Sequence, residues 1–492
     1  MGRCRASLLT LFILLIGLAS RSVRAGETST RQSYDQPVRL DVLVLDRHGQ
    51  PVINLDQDDF KVFDGGKSQR ILYFRPPRVR QDTAAPNVYA NQLGPGLPTT
   101  TIILLDLLNA KFMLRANGWR EIIHAVDGLK SSDNVYLYLL TIHGKLYPVH
   151  PLSPVTGRVR PSGLSWAEKE RVELARLMRE QSGLRSVDEE DPGERTDWTM
   201  RALTDLGGRM SAVPGRKSLV WISHGFPAVL PLPGNQWFDS TPYLRALSNN
   251  FANSQIVVYT VDQWLDGVGS PGSLSTDTLQ LLSDLTGGRA YASDRTETAI
   301  AQAIDDAASF YTIGYFPQLV KADGKFHKLR VTIDRSGVRA QTRGGYFANT
   351  VSQSVDERTM NLLRQAAAAL GNEPGISLRA SLKKTADSLD NAGLTIRVDL
   401  TDLWLTARNH RHHAQIELAV AGYRNDGVRE LLPATRIDLD LSDEELNQDQ
   451  KNGLELTRNV SLDNGLRGIR IILVDRLSGN CGSLDIPLAG TS

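Results

Sequence analysis

The stretch that decides the fold is TTIILLDLLNA, residues 100–110, in which the apolar run 102–105 is followed at once by Asp106. A strand that is apolar on both faces is typical of a parallel sheet covered by helices. An acid at the carboxyl end of such a strand lies where open α/β sheets bind ligands. The stretch SLVWISHGFP, residues 218–227, repeats the pattern and ends in Ser223, His224 and Gly225. The two stretches predict that Asp106, Ser223 and His224 lie close together.

Strand and helix patterns alternate on either side of these stretches. We expect a hairpin over 135–149, further strands at 255–261 and 289–292, and helices at 114–129, 166–179, 199–212, 276–286 and 296–309. Alternation of this kind predicts right-handed crossovers and a mostly parallel sheet with helices on both faces. The predicted fold class is therefore α/β.

The two ends of the chain have β patterns instead. Residues 38–44 alternate and 59–74 predict a hairpin, followed by a Pro- and Gly-rich linker over 76–98. Strand patterns return after residue 310 and again between 394 and 474. The predicted organisation is a signal peptide at 1–25, an N-terminal β module at 37–76, an α/β domain with trailing strands at 99–348, and a C-terminal β-sandwich-like domain at 375–490.

The first residues have the composition of a secretory leader. Arg3 and Arg5 precede the apolar stretch 8–19, and Ala25 follows at a small-residue cleavage position. The apolar stretch is shorter than the roughly 20 residues that cross a bilayer, so a retained anchor is the alternative reading. We expect an exported protein of the periplasm, the cell surface or the medium, with no transmembrane segment beyond the leader.

Charge and cysteine content narrow the function classes. The chain carries 56 basic and 55 acidic residues, and loss of the four leader arginines would move the net charge from +1 to −3. Without clustered Lys and Arg, nucleic-acid binding is not expected. Cys481 is the one cysteine outside the leader, so an intrachain disulfide is not expected in the mature chain.

Five segments in a fixed order carry a resemblance to a known family. They are VRLDVLVLDRHGQPVINLDQDDFKVFDGG, DLLNA, PGRKSLVWISHGFP, FYTIGYFP and HKLRVTIDRSGVRAQTRGGYFA. The chain resembles the von Willebrand factor A (VWA) fold and, more narrowly, the VWFA-related secreted proteins common in Acidobacteria. The resemblance implies a VWA-like, Rossmann-type domain between two β modules.

The resemblance also implies a metal-ion-dependent adhesion site in degenerate form. Typical A domains supply an Asp-x-Ser-x-Ser motif, a Thr from a later loop and an Asp after the fourth strand. Asp106 matches the first acid, but Leu108 and Ala110 stand at the serine positions. Asn109 between them could offer an amide oxygen.

The two remaining ligand positions complete the candidate metal site. Thr196 or Thr199 would supply the threonine, with Thr199 taken as the candidate, and His224 replaces the last acid. Oxygen ligands suit Mg²⁺, and a softer ion such as Mn²⁺ or Zn²⁺ could use Asp106 with His224. The alternative is a vestigial site in which Asp106 caps a helix or holds a loop.

Other motifs are weaker. Residues 267–272 match Gly-x-Gly-x-x-Gly but do not lead from a strand directly into a helix, as dinucleotide binding needs. The cluster His410, His412 and His413 lacks further metal ligands nearby in the sequence and is typical of a solvated strand start. Ser223 and His224 are sequential on a strand end and should point apart, so we do not expect an enzyme.

The function predicted from the sequence is non-catalytic binding of a protein or surface ligand, possible with or without a divalent cation. The loops after residues 106, 196 and 223 and the loop 261–276 would form the binding surface, with the aromatic residues Trp198, Phe226, Trp237 and Trp264 in or beside them. The alternatives are a metal-independent scaffold of a cell-envelope assembly and a hydrolase of small esters.

Overall fold

A computed structural model describes residues 37–77, 88–91, 100–110, 135–150, 166–182, 191–232, 236–263, 276–293, 296–318, 325–348, 353–369, 371–384, 391–424, 429–462 and 465–488. The predicted signal peptide, the helix at 114–129, most of the linker at 76–98 and Trp264 with residues 267–272 lie outside these ranges. Of the residues described, 44% lie in strands and 28% in helices.

Seven helices lie in the described part of the chain. Two of them begin at a capping box, in which Ser354 and Glu357, or Ser442 and Glu445, exchange side-chain and backbone hydrogen bonds and so satisfy free N–H groups of the first turn. The helices are α1 Trp166–Ser182, α2 Pro192–Met210, α3 Thr241–Asn253, α4 Thr276–Thr286, α5 Thr296–Ala308, α6 Val355–Ala368 and α7 Asp443–Asn452.

The strands outnumber the helices. In chain order they are β1 Val38–Asp46, β2 Phe60–Asp64, β3 Lys67–Gln69, β4 Tyr73–Arg75, β5 Tyr89–Ala90, β6 Thr100–Asp106, β7 Val135–Leu140, β8 Leu146–His150, β9 Lys217–Ile222, β10 Val229–Leu232, β11 Gln236–Asp239, β12 Ile256–Gln263, β13 Ala290–Ser293, β14 Phe310–Tyr315, β15 Phe326–Ile333, β16 Val338–Gln341, β17 Gly345–Phe347, β18 Leu378–Lys384, β19 Asn391–Val398, β20 Thr406–Arg408, β21 Arg411–Tyr423, β22 Arg429–Leu431, β23 Thr435–Ser442, β24 Leu454–Ser461, β25 Gly468–Asp475 and β26 Cys481–Pro487.

One six-stranded sheet contains the decisive stretch. Its strand order is β13-β12-β9-β6-β7-β8, and the pairs among β13, β12, β9, β6 and β7 are parallel. β8 returns antiparallel to β7, so the sheet is mixed. β6 is buried along its whole length, as its apolar composition predicts. Ile103 and Leu105 pack in a cluster with residues of α1 and α5, while Ile102 and Leu104 pack with residues of α2, α3 and α4.

The N-terminal strands pair with strands that follow the mixed sheet in the chain. β1 lies between β14 and β16, and β2 pairs with β15, all antiparallel. Leu40, Val42 and Val62 are fully buried in a core that they share with Tyr311 and Ile313. The predicted N-terminal module is thus built into sheets with residues from beyond position 310, and the predicted domain bounds remain a prediction.

The C-terminal part contains two further antiparallel sheets. One has the order β24-β19-β18-β5, and the other is built on β21, which pairs with β20, β22, β23 and β25, while β26 lies on the far side of β25. Their facing sides share one apolar core that includes Ile396 and Ile471. α6 packs over β25 and buries Leu363 and Ala366.

The predicted fold class, a VWA-like and mostly parallel α/β chain, is wrong. Strands outweigh helices among the described residues, and the mixed sheet is the only one there with parallel pairs. The sequence prediction gave too much weight to the alternation between residues 100 and 310. Periodicity reveals which face of a strand is buried, but not the direction of its partner, and most of the strands outside that region pair antiparallel.

Candidate functional site

Asp106 ends β6 at the carboxyl edge of the mixed sheet. The neighbouring strand β9 is parallel to β6, with Ile222 opposite Leu105, so the residues that follow both positions meet at one edge. The Ser223 hydroxyl donates a hydrogen bond of 2.7 Å to Oδ2 of Asp106. The indole N–H of Trp221 donates to the same oxygen over 3.2 Å.

Asn109 joins this carboxylate to helix α2. Its backbone N–H donates to Oδ1 of Asp106 over 3.0 Å, and its Nδ2 donates to Oδ2 over 2.8 Å. The same Nδ2 donates to the Thr199 hydroxyl, also over 2.8 Å. The Thr196 hydroxyl instead donates to the Pro192 carbonyl, so Thr199 is the threonine that reaches the site. We call Asp106, Asn109, Thr199, Trp221 and Ser223 the Asp106 network.

The network satisfies the carboxylate from within the protein. Burial raises the pKa of Asp106, while the hydrogen bonds from Asn109, Ser223 and Trp221 act in the opposite direction. The Gly225 N–H donates to the Ser223 oxygen over 2.9 Å, which leaves the hydroxyl hydrogen for Asp106. Four donors thus converge on one buried acceptor. The one buried polar atom of the network that has no hydrogen-bond partner among the described residues is Oδ1 of Asn109.

His224 belongs to a second, separate pair. Its Nδ1 lies 2.7 Å from Oδ1 of Asp262, a residue of the neighbouring strand β12. A carboxylate on Nδ1 favours the tautomer in which Nε2 is the acceptor. Nε2 is buried and has no hydrogen-bond partner in the described part of the chain. Asp262 and Trp221 were not among the predicted site residues, although Asp262 follows the apolar run 256–261 just as Asp106 follows 102–105.

The predicted metal ligands do not fit a divalent cation in this arrangement. Both oxygens of Asp106 already accept protein hydrogen bonds, and Nδ2 of Asn109 bridges Asp106 and Thr199, where a cation would bridge them. Leu108 and Ala110 offer no ligand atom. Within the part of the chain that the structure describes, no three His, Cys, Asp or Glu side chains are grouped so as to hold a metal. The N–H₂ group of Asn109 thus takes the place between Asp106 and Thr199 that a cation would take in a metal site, and its N–H dipoles stabilise the buried carboxylate.

The same contacts bear on the hydrolase reading. Ser223 donates to Asp106, while His224 is bonded through Nδ1 to Asp262, and its Nε2 has no partner among the described residues. An activated serine needs a base within hydrogen-bond reach of its hydroxyl. Among the described residues, no imidazole nitrogen accepts the Ser223 proton.

Two histidines at the start of β21 each pair with a different acidic side chain. His412 Nε2 lies 2.7 Å from Oδ1 of Asp443, and His413 Nδ1 lies 3.3 Å from Oδ1 of Asp440. Both acids are exposed by more than half. These separate surface pairs agree with the solvated strand start predicted from the sequence.

An exposed aromatic surface follows the Asp106 network in the chain. β10 and β11 form a two-stranded hairpin in which Val229 lies opposite Asp239 and Leu230 opposite Phe238. Leu230 is buried and the alternate residues face outward: Val229 is 43% exposed and Trp237 is 66% exposed. Tyr243, at the start of α3, is 55% exposed and stacks on Phe238 with ring centroids 5.5 Å apart. Phe238 lies opposite Leu230 and shares its face of the hairpin, so Tyr243 lies on the other side of the hairpin from Trp237. We call Val229 and Trp237 the hairpin face.

The other aromatic residues named from the sequence lie elsewhere. Phe226 is buried and contacts the Trp221 ring with centroids 6.4 Å apart. Trp198 is partly buried against the same apolar cluster. Of the four predicted surface aromatics, Trp237 is therefore the one that the described residues place well exposed.

The comparisons with known proteins add no family. No protein-family model matches this chain, and no curated protein matches it. Among the described residues, no helix is long and apolar enough to cross a membrane.

Proposed function

We propose that this chain is an exported, non-catalytic binding protein whose hairpin face inserts into an apolar pocket of a partner protein, without a bound metal. The observation that carries the proposal is the exposure of Trp237 on the outer face of the β10–β11 hairpin. Tryptophan and tyrosine are enriched among the residues that dominate binding free energy at protein interfaces. The leader-like composition of residues 1–25 supports export.

The Asp106 network supports the metal-independent form of this proposal. Since protein donors satisfy the buried carboxylate, the edge beside the hairpin keeps its shape without a cation. Phe226 connects this edge to α4, because its N–H donates to the Thr278 hydroxyl over 3.2 Å and its carbonyl accepts from that hydroxyl over 2.7 Å. A rigid support of this kind lets a partner bind with little ordering cost.

The test is capture of a partner from the envelope and medium fractions of the source cells with the purified protein as bait. Trp237→Ala should weaken binding of the captured protein about thirtyfold or more, because a central tryptophan contributes about 2 kcal/mol or more. Val172→Ala is the matched control, since Val172 is an apolar residue 64% exposed on α1. Both variants should melt at the wild-type temperature, since surface substitutions change stability by about 0.5 kcal/mol or less.

The same capture in chelator and in excess Mg²⁺ distinguishes the two forms of binding. Equal binding in both supports metal-independent recognition. Binding that is lost in chelator would contradict it and restore the metal-assisted reading. Binding that is equally strong for wild type and Trp237→Ala would rule out the hairpin face as the contact.

A further inference from the structure

A large cavity lies at the end of the mixed sheet opposite to Asp106. Its volume is about 460 Å³, and its wall includes Lys217 and Ile256, the first residues of β9 and β12. Elements from distant parts of the chain complete the wall: β1, helix α6 and the turn between β25 and β26. Small-molecule sites in proteins have volumes of roughly 300–1,000 Å³, so this space is large enough for a small ligand.

The charge on the wall is strongly unbalanced. Arg39, Arg216, Arg343 and Arg358 line the cavity, and Asp41 is the one acid among the described lining residues. Although burial alone would raise the pKa of Asp41, the surrounding arginines hold it below its usual value. One carboxylate therefore serves several guanidinium groups.

Two of these arginines are held by Asp41 and its surroundings. Arg216 Nε donates to Asp41 over 2.9 Å, its other nitrogens donate to Ser218, Ala307 and Tyr259, and its guanidinium lies 3.9 Å from the centroid of the Phe310 ring. Arg39 Nε lies 3.7 Å from the other Asp41 oxygen. Both oxygens of Asp41 therefore face arginine side chains, as in a charge cluster that stabilises the fold.

The positive charge of Arg358 is not paired in the same way. Its Nη2 donates to the carbonyls of Arg476 and Leu477, which are neutral acceptors. Its Nε is buried and has no hydrogen-bond partner among the residues that the structure describes. Across the described residues no carboxylate forms an ion pair with it. Burial lowers the pKa of Arg358, the neighbouring charge of Arg476 lowers it further, and Asp475 acts in the opposite direction without forming an ion pair with it. Arg343, which donates to the Arg39 carbonyl over 3.0 Å, lines the same cavity.

We propose that this cavity binds a small anion, carrying a phosphate or carboxylate group that pairs with Arg358 and Arg343. Guanidinium groups match both kinds of oxyanion because they offer two parallel N–H donors. The site is distinct from the hairpin face and goes beyond the proposed function. Because its wall joins β1, α6 and the β25–β26 turn, a bound anion would also fasten these elements to the mixed sheet and stabilise the fold.

Calorimetric titration of the full chain with inorganic phosphate and, separately, with succinate tests the proposal. At least one of the two anions should bind the wild type, and the anion that binds identifies the group. Arg358→Gln and Arg343→Gln should each weaken that binding by about tenfold or more, as loss of a charged hydrogen-bond donor predicts. Arg201→Gln is the matched control, because it removes the same charge from an exposed position on α2, and it should bind like the wild type.

A second variant keeps the test decisive if Arg358→Gln does not fold, since Arg358 also supports the turn at Arg476. Asp41→Asn removes the one acid on the described wall, so phosphate or succinate should bind this variant more tightly than the wild type. The anion should therefore raise the melting temperature of Asp41→Asn more than that of the wild type. The proposal is wrong if neither anion binds at millimolar concentration. It is also wrong if the anion binds equally well to the wild type and to both arginine variants.

Discussion

Asn109→Asp is the substitution that most directly probes the Asp106 network. It replaces the amide nitrogen, which donates to Asp106 Oδ2 and to Thr199 over 2.8 Å each, with a carboxylate oxygen. Loss of one charged and one neutral hydrogen bond costs about 2–4 kcal/mol. The new oxygen would lie about as close to Asp106 as the amide nitrogen does, and two carboxylates at that distance share one proton.

The proton sharing adds to the cost and gives it a pH dependence. The raised folded-state pKa of one of the two carboxyl groups adds a further cost at neutral pH. The lost hydrogen bonds alone, at about 2–4 kcal/mol, correspond to a melting temperature lower by about 4–16 °C, and the proton sharing lowers it further. Since the raised pKa belongs to the folded state, the loss of stability should be largest at pH 7 and should shrink as the pH falls towards 4.

The assay is thermal unfolding of wild type, Asn109→Asp and Asn109→Ala at pH 7 and pH 5, in chelator and in excess Mn²⁺. Asn109→Ala loses the two hydrogen bonds without adding a carboxylate, so it should show a smaller added pH dependence than Asn109→Asp and no metal dependence beyond that of the wild type. In Asn109→Asp, a cation could bridge two carboxylates and Thr199, so Mn²⁺ should restore about 2–3 kcal/mol at saturation. An Asn109→Asp protein that melts at the wild-type temperature would refute the reasoning.

Three further predictions concern two glycines of helix α2, the buried carboxyl group of Glu373 and the exposed Trp237. Gly208→Ala should raise the unfolding free energy by about 0.5–1 kcal/mol, because nothing lies within 4 Å of the added Cβ. Gly207→Ala should lower it by about 1 kcal/mol, because its Cβ would lie 3.0 Å from the Phe251 ring. Urea unfolding measures both changes. Burial raises the pKa of Glu373 to about 7, although Lys217 and Arg470 act in the opposite direction. The unfolding free energy should therefore fall by about 3 kcal/mol as the pH rises from 4.5 to above 7, and Glu373→Gln should abolish that part of the slope. Trp237→Ala should leave the unfolding free energy unchanged. A fall of more than about 1 kcal/mol would mean that Trp237 packs against this chain instead of being free to bind a partner.

Local structure could be predicted from the sequence wherever one pattern dominates. The apolar run before Asp106 indicates a strand buried on both faces, and the short gap between 135–142 and 146–149 indicates the β7–β8 hairpin, which the structure has. Helix α1 begins at Trp166 as its periodicity predicts. Helix α3 was missed, although Leu244, Leu247 and Phe251 follow helical spacing and are buried.

Strand partners could not be predicted in the same way. β1 pairs with β14, so Val38 lies opposite Tyr315, and no local pattern connects residues so far apart in the chain. The alternation in β1 predicts its buried face correctly, but the face does not identify the neighbour. This is why a chain dominated by antiparallel sheets was assigned a mostly parallel fold.

In the candidate site, too, one contact could be predicted from the sequence and another could not. Contact between Asp106 and Ser223 follows from the rule that the carboxyl ends of parallel strands share an edge. The direction of the Asn109 amide does not follow from any sequence pattern. Its nitrogen, rather than its oxygen, faces the carboxylate, and that orientation turns a candidate metal site into a closed hydrogen-bond network.

The most direct measurement is the melting temperature of the wild-type protein in chelator and in excess Mg²⁺, Mn²⁺ or Zn²⁺. The closed Asp106 network predicts the same melting temperature in all four solutions. A native-only cation site at about 100 times its dissociation constant would add about 2.7 kcal/mol, or about 5–10 °C for a domain of this size. A rise of that size in the wild type, lost in Asp106→Ala, would contradict the account.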